Sequence, residues 1–451
     1  MKAYAILGAV CLAGIASVAA CGGSDGSKFD LDAGNTNDTS VGDDNPIIID
    51  NDSGVSETGG PCKGLQCQVV SCPNNGSTTI TGTVVTPALT NPDPVYNAIV
   101  YVPNAPVAPL STGATCEQCG APVSGEPIAI AQTSFDGKFT LKNVPVGQNI
   151  PLVVQIGKWR RQVVIPNINS CVDNPVASTV TRLPRNKTEG DMPQMAIVSS
   201  TFDRTECILK KMGVDDAEFT AETGTGRIHL YTGNGASVSP PGGPGANLWS
   251  SLQQLKKYDV VALPCSSYPA GQTANSPLFD YANQGGRLYV TDLSYPVIQA
   301  GPAPWPTTAN WVGGTGANPA FIDTSFPKGD ALANWLQTIG ATTTKGSLNL
   351  VGKYDRFSGS VKPAQRWVYY NQTDEQLYGF NTPFNQPPAN QCGRVFYASF
   401  HVASGSGTSF PSECGNAPLT AQEKVLEFML LDLASCVTDD SKPPPPPPGP
   451  N

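Results

Sequence analysis

Eleven cysteines lie between residues 62 and 436, downstream of an apolar run that begins at Ala3 and ends at Val18-Ala19-Ala20-Cys21. The run decides what the cysteines can do. Lys2, an apolar stretch over residues 6–18 and small residues ahead of a cysteine have the form of a bacterial lipoprotein signal, cleaved before Cys21 and acylated on it. Export would carry the thiols into an oxidising space, where such density reads as a disulfide framework. The candidate partners are Cys62, Cys67, Cys72, Cys116, Cys119, Cys171, Cys207, Cys392, Cys414 and Cys436. An odd total leaves at least one thiol over, and Cys265, at the end of a strongly apolar strand, is the candidate. A zinc site built from Cys116-Glu117-Gln118-Cys119 and two of Cys62, Cys67 and Cys72 is the competing reading. Disulfides are favoured over it, and no metal is expected.

More than one acyl chain on Cys21 would hold the chain stably at a membrane. Gly22, rather than Asp, follows the cysteine and favours the outer membrane. Net charge is −9, and its placement matters more than its size. Between residues 22 and 60, Asp25, Asp30, Asp32, Asp38, Asp43, Asp44, Asp50, Asp52 and Glu57 stand against Lys28 alone. This stretch is rich in Gly, Ser, Asn and Thr, the composition of a solvated, self-repelling tether. The remaining body is almost neutral, so no basic field argues for nucleic acid. The expected organisation is a signal peptide over 1–20, an acidic lipid-anchored linker over 21–60, a Cys-rich lead-in over 61–77, an all-β sandwich over 78–185, an α/β domain with a mainly parallel sheet over 192–437, and a Pro-rich tail over 438–451.

Short strands rich in Val, Ile and Thr, separated by Gly, Pro and Asn turns, are expected at 80–85, 98–102, 129–133, 138–141, 152–156 and 162–165. Asp136-Gly137 makes a tight turn that needs positive φ, and Phe139 and Leu141 share a sheet face. Thr81-Gly82-Thr83-Val84, Asn97-Ala98-Ile99-Val100-Tyr101-Val102, Thr133-Ser134-Phe135-Asp136-Gly137-Lys138-Phe139-Thr140-Leu141 and Val144-Pro145-Val146-Gly147 together resemble the carboxypeptidase regulatory-like domain. That family is a prealbumin-like β-sandwich, similar also to starch-binding-like, carbohydrate-binding folds, and it implies an accessory module without chemistry of its own. The segment 103–127, which carries Cys116 and Cys119, departs from the family's usual short connection.

From Met192 the pattern changes to alternating strands and helices, as in a parallel sheet with crossover helices. Tyr258-Asp259-Val260-Val261-Ala262-Leu263-Pro264-Cys265, then Gly285-Gly286-Arg287-Leu288-Tyr289-Val290-Thr291-Asp292, and much later Cys392-Gly393-Arg394-Val395-Phe396-Tyr397-Ala398-Ser399-Phe400-His401, resemble the class I glutamine amidotransferase-like fold in its ThuA-like branch. A long loop-rich excursion over 295–390 interrupts the likeness. Over its whole length the chain resembles exported lipoproteins of myxobacterial type.

The amidotransferase resemblance implies a Cys nucleophile on a strained elbow, a late-strand His as base and a Glu two residues further on to orient it. His401 falls at the base position. The elbow reads Thr291-Asp292-Leu293-Ser294-Tyr295 without a cysteine, the Glu position holds Ala403, and Cys265 lies one strand too early. The expectation is therefore a degenerate, catalytically silent site. If the chain is an enzyme, its residues are His401, Ser294 and Asp292. With His229 and His401 as the two histidines, no two-histidine zinc helix is possible. The Gly-rich segments at 224–227 and 313–316 lack the features of phosphate or dinucleotide loops, so no cofactor is expected.

Ligand-binding candidates are aromatic and basic. Trp159, with Arg160 and Arg161, could grip an anionic polymer or glycan, although an edge strand covered by long side chains is the favoured reading; Trp305 and Trp311 could form a loop platform for sugars or close over the sheet. A helix after residue 322 is expected to be capped by Asp330 and to turn Leu332, Trp335, Leu336 and Ile339 to the core. Residues 443–448 form a polyproline run, stiff and exposed. The expected function is a lipid-anchored binding or scaffold protein of the cell envelope, with envelope polysaccharide, peptidoglycan or another protein as partner. The alternative is an extracytoplasmic hydrolase using His401 on an ester, amide or glycan.

Overall fold

In a computed structural model, residues 62–238, 241–268, 276–353, 355–402 and 409–449 are described. The expectations for the signal, for Cys21, for the acidic linker and for Ala403 lie outside the described residues. None of the described helices is long and apolar enough to cross a membrane.

The first half builds two small sheets from seven strands: Thr79–Thr83 (β1), Ile99–Pro103 (β2), Pro127–Gln132 (β3), Lys138–Lys142 (β4), Gly147–Ile156 (β5), Trp159–Ile168 (β6) and Asp173–Val176 (β7). One runs in the order β4-β1-β7 and the other β3-β2-β5-β6. Alternation along the strands turns Ile80, Phe139 and Leu141 of one sheet, and Val100, Val102, Leu152 and Val154 of the other, into a shared apolar cluster. The expected turn at Asp136-Gly137 has a physical cause. Gly137 sits at φ 72°, and a Cβ there would lie 2.5 Å from the Val84 carbonyl oxygen.

The second half is organised by a ten-stranded mixed sheet. Its strands are Met195–Ser199 (β8), Phe219–Thr220 (β9), Ile228–Thr232 (β10), Val260–Leu263 (β11), Arg287–Thr291 (β12), Ala320–Ile322 (β14), Ser347–Leu348 (β15), Gln365–Asn371 (β17), Asp374–Thr382 (β18) and Gly393–Ala398 (β19). A separate two-stranded ribbon pairs Ala309–Asn310 (β13) with Gly359–Ser360 (β16). The large sheet has the order β15-β14-β17-β18-β19-β12-β11-β8-β10-β9. Neighbours from β9 through β19 pair in parallel, and β18, β17, β14 and β15 add in antiparallel fashion. This corrects the expectation of a mainly parallel sheet with a loop-rich excursion. The segment 295–390 supplies the antiparallel wing, and antiparallel neighbours need no crossover helix to announce them.

The central strands are buried on both faces, and successive residues part into two clusters. Tyr289 and Phe396 join the apolar cluster of the small sheets, whereas Leu288, Val290, Val395 and Tyr397 face the opposite side. The closing helix Ala421–Ala434 packs into the first of these clusters. It begins at a capping box in which Thr420 and Glu423 satisfy each other's backbone N–H groups. Helix Pro327–Thr338 buries Leu332, Trp335 and Leu336, but Asp330 is not its cap. The N-cap is Phe326, Pro327 takes the first helical position, and Asp330 lies within the first turn.

The two halves are fastened to one another. Cys116 and Cys119, on the segment between β2 and β3, bond to Cys392 and Cys436. Lys158 Nζ sits 2.5 Å from Asp259, and Trp335 Nε1 donates to the Pro94 carbonyl at 2.8 Å. The remaining disulfides are Cys62–Cys67, Cys72–Cys171 and Cys207–Cys414. Cys265 is the free cysteine among the described residues, and it is buried. With Cys116 and Cys119 spent in separate disulfides, the zinc alternative at that pair falls. The polyproline run also differs from an exposed tail. Pro444 and Pro447 are buried, the three-residue period of a polyproline helix laid along a surface, and Pro445 approaches Gly120.

Candidate functional site

The parallel strands bring their carboxyl ends to one edge of the sheet. The chain leaves β8 for β10 and β9 on one side and then places β11, β12 and β19 on the other. Strand order therefore reverses between β8 and β11, and open α/β sheets take ligands outside such a reversal. Four side chains from four strand ends converge there: Asp203 after β8, Cys265 after β11, Asp292 after β12 and His401 after β19.

Asp203 is fully buried and organises the others. One carboxylate oxygen accepts from the Thr291 hydroxyl and, at 3.2 Å, from the Cys265 N–H; the other accepts from the Val402 N–H at 3.2 Å and the Thr205 hydroxyl at 3.2 Å. Burial pushes its pKa upward, against the pull of His401 and of these hydrogen bonds.

Asp292 stands directly after β12 at φ 45°, a left-handed residue in a strand-to-helix turn. That backbone shape displays the nucleophile in elbow-type hydrolases, and it is costly for a residue with a Cβ. Here it displays a carboxylate that is 1% exposed. Its Oδ2 accepts from His401 Nδ1 at 2.7 Å. Its Oδ1 is buried without a hydrogen-bond partner among the described residues.

His401 has a raised pKa. Burial opposes the charged ring, but the hydrogen bond to Asp292 and the fields of Asp203 and Asp292 outweigh it. The neighbouring Cys265 thiol is pushed up to about 12 by burial and by the charge of Asp292, so it stays protonated. The Sγ of Cys265, an oxygen of Asp292 and a ring nitrogen of His401 lie within 4.8 Å of one another.

Of the three residues expected for an enzyme, His401 and Asp292 meet and Ser294 does not join them. The Ser294 hydroxyl donates to the Pro264 carbonyl at 2.5 Å and accepts from the Tyr268 N–H at 3.1 Å, which ties β11 to the turn after β12. The resemblance places the orienting carboxylate two residues after His401, where Ala403 stands. The orienting group lies 109 positions upstream. Asp203 and the place of Cys265 were missed as well. Their common signal is an acid or thiol within a few residues of the end of a strand that is apolar but for its last residue at most.

Of the two readings of the aromatic and basic candidates, the structure bears out the favoured one for residues 159–161, since β6 is an edge strand of its sheet. Trp159 is 1% exposed and part of the core. Arg160 is ion-paired to Asp191 at 2.7 Å and donates to the Ala108 carbonyl, while Arg161 donates to the carbonyls of Thr179 and Val180. Trp305 is fully buried against Phe279 and Phe380. Trp311 is half-buried, with Nε1 donating to Pro306 and its ring 5.8 Å from that of Tyr397. Burial removes Trp159, Arg160 and Trp305 from an open sugar platform, while Arg161 and Trp311 keep part of their surface exposed.

No family model matches the chain, and no curated protein matches it. Part of it is similar to a type II Cohesin-X-Dockerin complex from Acetivibrio cellulolyticus, at 12% identity over 31% of this chain and 85% of that one, with a TM-score of 0.16. Another likeness is to a 9R-lipoxygenase from Cyanothece, at 13% identity over 25% of this chain and 18% of that one, with a TM-score of 0.14. At these scores neither likeness bears on fold or function.

Proposed function

We propose that this is a lipid-anchored cell-envelope protein whose body serves as a binding or scaffold module, with its ligand site at the strand-end cluster of an amidotransferase-like domain. The small sheets before it act as a regulatory-like β-sandwich that braces this domain. The observation that carries the reading is Asp292 at the elbow, where this scaffold type would present a nucleophile. The other candidate nucleophiles are committed elsewhere: Ser294 to backbone groups and Cys265 to its proton. Ten cysteines joined in five disulfides support an oxidising compartment. Phe202 and Val351, which adjoin Asp203 and Gly352 in the chain, are exposed and give the cluster an apolar margin.

One observation favours a second reading, an extracytoplasmic hydrolase. The 2.7 Å contact with Asp292 gives His401 the oriented geometry of a general acid or base. The two readings part in one experiment. Wild type and His401→Ala are assayed on ester, amide and glycan substrates and, in parallel, for retention on isolated peptidoglycan and envelope polysaccharide. The module reading expects retention and no turnover by either protein. Turnover by wild type that His401→Ala loses overturns it in favour of the hydrolase.

A further inference from the structure

The strand-end cluster has the composition of a metal site. Cys265, Asp292 and His401 offer a thiol, a carboxylate and an imidazole from three different strand ends. Thiolate and imidazole select zinc-like ions over calcium or magnesium, and three protein ligands leave a fourth position for water or a ligand. We infer that Cys265, Asp292 and His401 bind one divalent transition-metal ion of the zinc class at the carboxyl edge of the sheet.

Three further observations carry this inference. First, Asp292 Oδ1 is buried, in a residue 1% exposed, and has no hydrogen-bond partner among the described residues. A carboxylate oxygen left this way loses its solvation without return unless a cation or donor meets it. Second, the donor atoms are almost close enough. Ligands of a tetrahedral zinc ion sit roughly 3.5 Å apart, given bonds near 2.0–2.3 Å. The three donor atoms lie within 4.8 Å of one another, and Asp292 Oδ2 is 2.7 Å from His401 Nδ1, so shifts of about an ångström bring the set to that spacing. Third, room exists beside the imidazole. Gly352, at φ 59°, places only hydrogen where a Cβ would lie 3.4 Å from His401 Nε2.

The binding step balances simply. The Cys265 Sγ–H bond breaks and its proton leaves to solvent as the metal–sulfur bond forms; His401 joins as neutral imidazole, the ligating ring nitrogen releasing to solvent any proton it carries, and the metal gives up waters as the carboxylate and imidazole join. Asp203 stays outside the ligand set. It holds the Cys265 and Val402 backbone, and so spaces two of the strand ends that carry ligands. The inference rests on donor geometry and stands whether or not the site turns over a substrate.

The test uses the full chain, treated with chelator, dialysed and titrated with Co(II) and, separately, with Zn(II). Cys265 is the free thiol among the described residues, so a thiolate-to-cobalt charge-transfer band that disappears in Cys265→Ser reports on this site. The expected result is one equivalent of metal, the band in wild type, its loss in Cys265→Ser, and Zn(II) affinity lowered roughly tenfold or more in Asp292→Asn and His401→Gln. His401→Gln should keep the band at higher cobalt concentration, which separates loss of a ligand from loss of the fold. Thermal melting gives a second readout, with zinc raising the midpoint of wild type and not of Cys265→Ser. Cobalt uptake with no thiolate band, or unchanged zinc affinity in both Cys265→Ser and His401→Gln, overturns the inference.

Discussion

Asp292 accepts a 2.7 Å hydrogen bond from His401 across 109 residues of sequence, from a left-handed turn that makes this contact possible. In metal-free protein this carboxylate, with Asp203, holds the imidazole pKa above its ordinary 6.5. Replacing Asp292 by Asn leaves burial unopposed by that charge, so the His401 pKa is expected to fall. Proton NMR titration of the imidazole signals in the two proteins checks the direction.

The Cys265 thiol, with a pKa near 12 and a residue exposure of 3%, is expected to resist alkylation by iodoacetamide at pH 8 in the folded protein. It should react fully once denaturant opens the core. Mass spectrometry before and after denaturation counts the modified thiols, and rapid labelling of the native protein would contradict the geometry.

Glu206 is fully buried in helix Thr205–Lys211, where burial and the nearby charges of Glu413 and Asp203 push its pKa to about 7. A raised carboxyl pKa gives stability that is complete below the unfolded value of 4.5 and is lost as pH rises through 7. Glu206→Gln cannot ionise, so above pH 8 it should exceed wild type in stability by about 3 kcal/mol, while near pH 4 the two should match. Urea unfolding at both pH values tests this.

Trp305 and Trp159 are core residues, so their truncation should register as lost stability. Trp305→Ala is expected to cost about 3–5 kcal/mol, the range for a large buried aromatic. Denaturant midpoints measure the cost, and a folded variant of unchanged stability with weakened glycan retention would return these rings to the surface role.

Lys328 is fully buried, 2.6 Å from Asp432 and 3.4 Å from Asp440, and Arg394 pairs with the same two carboxylates. Burial would raise the Asp432 pKa, but the two cations hold it below its ordinary value. Lys328→Ala strands part of this charge in the core and should cost about 3–5 kcal/mol. A charge-neutral replacement of the whole cluster should be far milder, and unfolding curves compare the two.

The parts of this fold that read plainly from sequence are those where one residue type does one job. Asp136-Gly137 is a turn because a Cβ at residue 137 would strike a carbonyl, and Gly213 ends a helix at φ 103°. The strands β11 and β12 announce themselves because burial on both faces leaves no polar alternation. The edge of the antiparallel wing was hidden because β14 and β15 have only three and two residues and their pairing is non-local, whereas β17 and β18 are long, form a local hairpin and carry a strand pattern in Trp367-Val368-Tyr369-Tyr370. The candidate site was half visible. His401 and Asp292 could be named, but that they touch depends on β12 and β19 lying side by side, which no local pattern states. Trp159 and Trp305 left two readings open for a related reason, since an aromatic beside polar or loop residues has the same spelling whether it faces solvent or the core.

The disulfides Cys116–Cys392 and Cys119–Cys436 impose an order of events. Their sequence separations are 276 and 317 residues, and they cross between the halves of the molecule. A chain emerging amino end first presents Cys116 and Cys119 to an oxidant long before either partner arrives, with only two residues between them to discourage a premature bond. The first half therefore waits, reduced or wrongly joined, until the last strand and helix are delivered. The last covalent step, oxidation of waiting thiols or exchange out of a wrong pair, locks the beginning of the body to its end.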